Sequence, residues 1–131
     1  MRVSAGHTAA TYAQTRAALA AGVTGFTHLF NAMPQLASRE PGPVAAALES
    51  RAWCGLIADG HHVDDAMLRL ALRAKADGRV MLVTDAMAAA GTDADSFTLA
   101  GETVTIVGGR CTDAAGTLAG SNLTMIAAVR H

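Results

Sequence analysis

Apolar and polar positions follow two alternating rhythms over the first 85 residues. Short β-prone runs ending in polar residues lie at 2–5, 25–29, 53–58 and 79–84, the last built on Val80, Met81, Leu82 and Val83. Alanine-rich stretches with helical spacing separate them. One covers 10–21 and sets Tyr12, Thr15 and Leu19 on one face. A second covers 44–51. A third covers 65–76, where Met67, Leu68, Leu70, Ala71 and Leu72 form a broad apolar side. Strand and helix in strict alternation predict buried parallel strands covered by helices.

The rhythm changes after Gly91. Short β-prone pieces at 97–99, 103–107 and 110–112 are punctuated by Gly101-Glu102 and Gly108-Gly109, which predicts a hairpin or small antiparallel sheet. A final helix is expected to start at Ser121 or Asn122 as N-cap and run through Met125, Ile126 and Val129. Four βα units are about half of a (β/α)8 barrel, which needs roughly 250 residues. The fold expected is therefore α/β: one domain over 1–131, a partial TIM barrel with a small β-hairpin insertion and a final helix. The chain opens inside a strand pattern and closes inside a helical one, so a fragment lacking the first half of the barrel is expected.

Composition narrows this picture. The chain is 51% hydrophobic and 16% charged with net charge -1, which fits a packed core. Its ten Lys and Arg residues are scattered and form no nucleic-acid surface. Charges and glycines interrupt every apolar stretch well before about 20 residues, so no membrane-spanning helix is expected. A strand-like run directly after Met1 leaves no room for a signal peptide. Cys54 and Cys111 show no metal or redox spacing and read as buried free thiols, from which a reducing cytoplasm is the expectation.

The candidate chemistry gathers at strand ends. His7 follows the first strand, His28 ends the second, Asp59 to His62 follow the third and Asp85 ends the fourth. Carboxyl ends of parallel strands share one face of such a sheet, so two imidazoles about one βα unit apart can reach one metal ion. Asp85 has two readings: an N-cap for the segment after it, or a general base beside metal-activated water. For Asp59 the loop-fixing role is favoured, because Gly60 marks a tight turn. The aperiodic loop after His28 offers Asn31, the amide of Ala32 and Arg39 to phosphate or sugar oxygens.

The runs Val3-Ser4-Ala5-Gly6-His7-Thr8, Thr27-His28-Leu29-Phe30-Asn31-Ala32-Met33-Pro34 and Arg39-Glu40-Pro41-Gly42 resemble N-acetylglucosamine-6-phosphate deacetylases of the amidohydrolase superfamily. So do Ile57-Ala58-Asp59-Gly60-His61-His62-Val63-Asp64, Val83-Thr84-Asp85-Ala86 and Gly116-Thr117-Leu118-Ala119-Gly120-Ser121. The resemblance covers essentially the whole chain, in the family's order.

It implies that His7 and His28 are ligands of a divalent metal, zinc or alternatively iron, and that Asp85 is the general base and then acid. Asn31 and Ala32 would hold N-acetylglucosamine 6-phosphate, and Arg39 its phosphate, in its own site or a neighbouring subunit's, since the family is usually dimeric. Asp59, Gly60, His61 and His62 would line the sugar-phosphate pocket, with His62 matching the family histidine and His61 at a variable position. Leu118, Ala119 and Gly120 would form a backbone wall. The family's glutamate ligand and a further substrate histidine have no counterpart here. Two rival readings remain: an inactive remnant with residual metal or sugar-phosphate binding, and another amidohydrolase acting on a cyclic amide.

Overall fold

The computed structural model describes residues 1–75 and 77–131. It divides into two compact units, Met1–Leu56 with Val63–Met81 and Ile57–His62 with Leu82–His131. The first unit alternates β1 (Val3–Ala5), α1 (Tyr12–Ala20), β2 (Val23–Phe26), α2 (Gly42–Glu49), β3 (Trp53–Leu56) and α3 (Asp65–Ala74), and the chain then enters β4 (Val80–Leu82). The sheet order is β1-β2-β3-β4. Parallel pairing joins β1 to β2 and β2 to β3, with Ala5 opposite Phe26 and Phe26 opposite Cys54.

Each helix has a local reason to start where it does. The Thr11 side chain accepts from the amide of Gln14 while the Gln14 side chain accepts from that of Thr11, a reciprocal cap for α1. Pro43 sits in the first turn of α2, where a missing N–H costs nothing. Asp64 caps α3 through the amide of Ala66. Phe26, Leu29, Val44, Ala47, Cys54, Leu56, Val63 and Ala71 close the core under these helices. Lys75 is also buried there, and its ammonium donates to the carbonyl of Ser50. Burial pushes the Cys54 thiol up to about 11, so it stays protonated at neutral pH.

In the second unit, β5 (Ser96–Leu99), β6 (Glu102–Val107) and β7 (Arg110–Thr112) make an antiparallel sheet in that order, followed by α4 (Met125–Arg130). Ile57, Leu123 and Ala128 form its buried cluster, with Leu82 and Val83 against it. Among the described residues, no helix is long and apolar enough to cross a membrane.

The α/β alternation and the antiparallel insertion match the sequence reading; several boundaries do not. β2 starts earlier than expected and ends at Phe26, because His28 takes φ 30° and breaks the extended backbone. β3 and β4 stop at Leu56 and Leu82, leaving Asp59 and Asp85 in the loops beyond. The N-cap of α4 is Thr124, whose hydroxyl accepts from the amide of Ala127, not Ser121 or Asn122. The expected reach of α3 to Ala76 falls outside the described residues. Its apolar side is narrower than expected too, with Leu70 54% and Leu72 56% exposed.

These burials predict a contrast. Leu56→Ala, at a position 2% exposed, should cost about 2–5 kcal/mol. Leu70→Ala should change stability by no more than about 0.5 kcal/mol. Urea unfolding of both variants measures the difference, and comparable losses would contradict this packing.

Candidate functional site

In the first unit, the ladder between β1 and β2 continues past both strands: the amide of Thr27 donates to the carbonyl of Ala5 at 2.8 Å. Beyond it, each strand carries a histidine two residues after the paired Ala5 and Phe26. Gly6 makes this approach feasible, since a Cβ there would lie 2.9 Å from that of Thr27. The Ser4 and Thr27 hydroxyls bond at 2.8 Å across the two strands.

The result is that His7 Nε2 and His28 Nε2 lie 3.0 Å apart, with the rings edge to face at 4.8 Å. His28 is 4% exposed, and its Nδ1 is buried without a hydrogen-bond partner among the described residues. Two nitrogens bound at 2.0–2.1 Å to one tetrahedral Zn²⁺ lie about 3.3 Å apart, so the observed separation is close to that of two ligands sharing an ion. The donor set also suits such an ion, because neutral imidazole is a preferred ligand of zinc and iron. Among the described residues, no group of three or more His, Cys, Asp or Glu side chains is gathered to hold a metal. The structure thus provides a pair of candidate ligands.

The loop after His28 is held by its own backbone. The Asn31 amide group donates to the carbonyls of His28 at 3.2 Å and Leu29 at 3.4 Å. The carbonyl of Ala32 accepts from the amide of Thr8 at 3.1 Å, tying this loop to the segment after His7. Arg39 is exposed and has no hydrogen bond or ion pair among the described residues. Its neighbour Glu40 is engaged, accepting from the amides of Tyr12 and Gly42.

In the second unit, Asp59 organises the loop after β3. One carboxylate oxygen accepts from the amides of His61 at 2.8 Å and His62 at 2.9 Å; the other lies 2.6 Å from His62 Nδ1. Both side chains are only 6% exposed. Burial pushes the Asp59 carboxyl up, but donation from the His62 and His61 amides and the His62 ring more than offsets it, leaving the pKa below its ordinary value of 3.8. A carboxylate at Nδ1 places the proton on that nitrogen and leaves Nε2 of neutral His62 as the acceptor. The loop-fixing reading of Asp59 is therefore the one the geometry supports. His61 is turned elsewhere: its Nε2 lies 3.2 Å from the carbonyl of Gly108, at the turn between β6 and β7.

Asp85 lies three residues past β4, exposed and with no hydrogen bond to its carboxylate among the described residues. No helix follows it, so the N-cap reading falls. The strap containing Leu118, Ala119 and Gly120 runs alongside. Leu118 bridges Thr112, and the amide of Ala119 donates to the carbonyl of Cys111 at 3.2 Å. Gly120 is pressed against Met87, since a Cβ there would come within 2.3 Å of Met87 Cγ.

Among the described residues, six non-glycine residues take the left-handed backbone conformation: His7, His28, Phe30, Ala32, Asp85 and Ala100. Four of them are candidate site residues. Such positions cost about 1–3 kcal/mol each and persist where neighbouring structure enforces them. This strain had no sequence signal. Ser121 also went unrecognised, having been read as a helix cap.

No family model matches the chain. It is 51% identical over 132 aligned positions to N-acetylgalactosamine-6-phosphate deacetylase of Escherichia coli O157:H7, a match covering 100% of this chain and 35% of that protein. The crystal structure of N-acetylglucosamine-6-phosphate deacetylase from Pasteurella multocida matches with TM-score 0.94 at 45% identity, covering 99% of this chain and 34% of that one. A variant of N-acetyl-D-glucosamine-6-phosphate deacetylase from Mycobacterium smegmatis, solved with N-acetyl-D-glucosamine-6-phosphate, also matches with TM-score 0.94, at 42% identity over 99% of this chain and 35% of that one. The chain spans about a third of the length of the curated relatives it matches.

The lowered pKa of Asp59 predicts a pH dependence. Its contribution to stability is complete above the ordinary value of 3.8 and is lost as pH falls through the lower value of the folded state. Acidification below about pH 4 should therefore destabilise the parent chain more steeply than Asp59→Asn, as read by urea unfolding at a series of pH values. Parallel curves would contradict the proposed role of the carboxylate.

Proposed function

We propose that this chain is the part of an N-acetyl amino-sugar-6-phosphate deacetylase that carries two metal ligands and the general base. In this reading its sheet is half of a (β/α)8 barrel, and the reaction is hydrolysis of N-acetylglucosamine 6-phosphate to glucosamine 6-phosphate and acetate. The observation that carries the reading is the convergence of His7 Nε2 and His28 Nε2 at 3.0 Å.

His7 and His28 hold a divalent ion through Nε2. A bound ion of this kind acidifies water and polarises the amide carbonyl. Asp85, whose carboxylate is exposed and unengaged, takes the proton of the attacking water as the new C–O bond forms. It then gives that proton to the nitrogen as the C–N bond breaks, releasing acetate and the free amine. Asn31 and Ala32 line the sugar, Arg39 pairs with the phosphate, and His62, oriented by Asp59, offers Nε2 to a substrate hydroxyl. Leu118, Ala119 and Gly120 supply backbone to the pocket wall. The strained backbone at His7, His28 and Asp85 supports these roles, because such strain concentrates at functional sites. The intact enzyme is a cytoplasmic homodimer in this account.

A second substrate is favoured by the relative named for N-acetylgalactosamine 6-phosphate, which shares 51% of its aligned residues with this chain. The two sugars differ only in the configuration at C4, and the same chemistry serves both.

A catalytic zinc usually has three protein ligands and a water. With two candidate ligands, the 131-residue chain should bind Zn²⁺ weakly and turn over little of either substrate. Calorimetry should show the weak binding lost in His7→Ala and in His28→Ala. Retention of full zinc affinity in both variants would remove the basis of this proposal. Robust acetate release by the chain, abolished by Asp85→Asn, would show instead that further ligands are dispensable.

A further inference from the structure

Ser121 is 1% exposed and lies five residues after the turn at Gly116, in the strap beside Asp85. Every polar group it has is engaged. Its amide donates to the carbonyl of Asp85 at 2.9 Å, and its carbonyl accepts from the amide of Met87 at 3.0 Å. Its hydroxyl donates to the carbonyl of Thr84 and accepts from the amide of Leu123 at 3.1 Å. Three of the four bonds therefore fall on the segment from Thr84 to Met87, bracketing Asp85 on both sides.

Asp85 is the residue in that segment with a left-handed backbone, at φ 52°. Among the described residues its side chain has no hydrogen bond that would hold it there, unlike the side chain of a self-capping aspartate. The conformation must therefore be imposed through the backbone. The parallel bridge between Ala86 and Ser121 and the close contact of Gly120 with Met87 close the same clamp. A hydroxyl suits this position because it both donates and accepts, and because an unpaired carbonyl at Thr84 would be costly to bury.

We propose that Ser121 is the positioning residue for Asp85: it forces the left-handed turn that leaves the carboxylate unengaged and ready to exchange a proton. This rests on the assignment of Asp85 as the base, but the geometry can be tested without turnover. Ser121 itself touches neither substrate nor proton in this account.

The test is NMR on the 131-residue chain. A left-handed residue gives a strong intraresidue NOE between its amide and Hα protons, so the parent should show one at Asp85. Ser121→Ala should reduce it to the level of extended residues. The same signals at His7 and His28 should persist, showing that the chain remains folded. Ser121→Thr, which keeps the hydroxyl, should retain the Asp85 signal. A strong Asp85 NOE in folded Ser121→Ala would overturn the proposal. If the alanine variant does not fold, amide exchange in the parent decides: Ser121 and Met87 should exchange more than about tenfold slower than exposed loop amides, and unprotected exchange at both would overturn it. Failure of Asp85 as a base would appear as residual acetate release that survives in Asp85→Asn, a readout that leaves these NMR outcomes untouched, so the two claims fail separately.

Discussion

Parallel pairing between β1 and β2 is the interaction from which the histidine pair follows. Alignment of Ala5 with Phe26 sets the two strands in register at their carboxyl ends, and the bond from Thr27 to Ala5 carries that register one step further. His7 and His28 then stand the same distance beyond the ladder. A slip of one residue would turn every side chain of one strand to the other face and separate the rings. Gly6 contributes by what it lacks, since any side chain there would push the strands apart at Thr27. The buried core of Phe26, Leu29, Cys54 and Leu56 makes that register costly to change.

The two units use a common device at their candidate site segments. Backbone just beyond a strand is forced into the left-handed region and held by hydrogen bonds from a neighbouring segment. At His7 and His28 the neighbours are each other's strands and the tie from Thr8 to Ala32; at Asp85 it is the strap through Ser121. Local strain is thereby offset by pairing, and the candidate site side chains are kept out of regular structure. His28 shows the tension most clearly: it is buried, its Nδ1 has no partner among the described residues, and its Nε2 faces that of His7. With one ring protonated at Nε2 the two nitrogens hydrogen-bond to each other, and with both deprotonated there they present two lone pairs to one ion.

Much of this was legible in the sequence because periodicity and punctuation are local. Alternating strand and helix patterns located β1 to β4 and α1 to α3 to within a few residues, and Gly101-Glu102 and Gly108-Gly109 located the turns on either side of β6. The histidines were found by their offset from strand-like runs. What stayed hidden depends on backbone dihedrals and on partners distant in sequence. Nothing in the run from Thr27 to Leu29 reveals that His28 leaves the extended region, so β2 was drawn too long. Ser121 was misread because a serine before an apolar run looks like a helix cap, whereas its partners at Thr84 and Asp85 lie 37 and 36 residues earlier in the chain. The exposed Leu70 and Leu72 show the complementary limit: an apolar stripe records what can be buried, not what is.

The central claim is that His7 and His28 act as a pair on one divalent ion. Imidazole ¹⁵N NMR during titration with Zn²⁺ tests it most directly, because metal-bound, protonated and free ring nitrogens resonate apart. The account predicts that Nε2 of both residues shifts together as zinc is added, with Nδ1 of each remaining protonated and the rings of His61 and His62 unaffected. A response from only one of the two histidines, or binding through His61 and His62 instead, would contradict it.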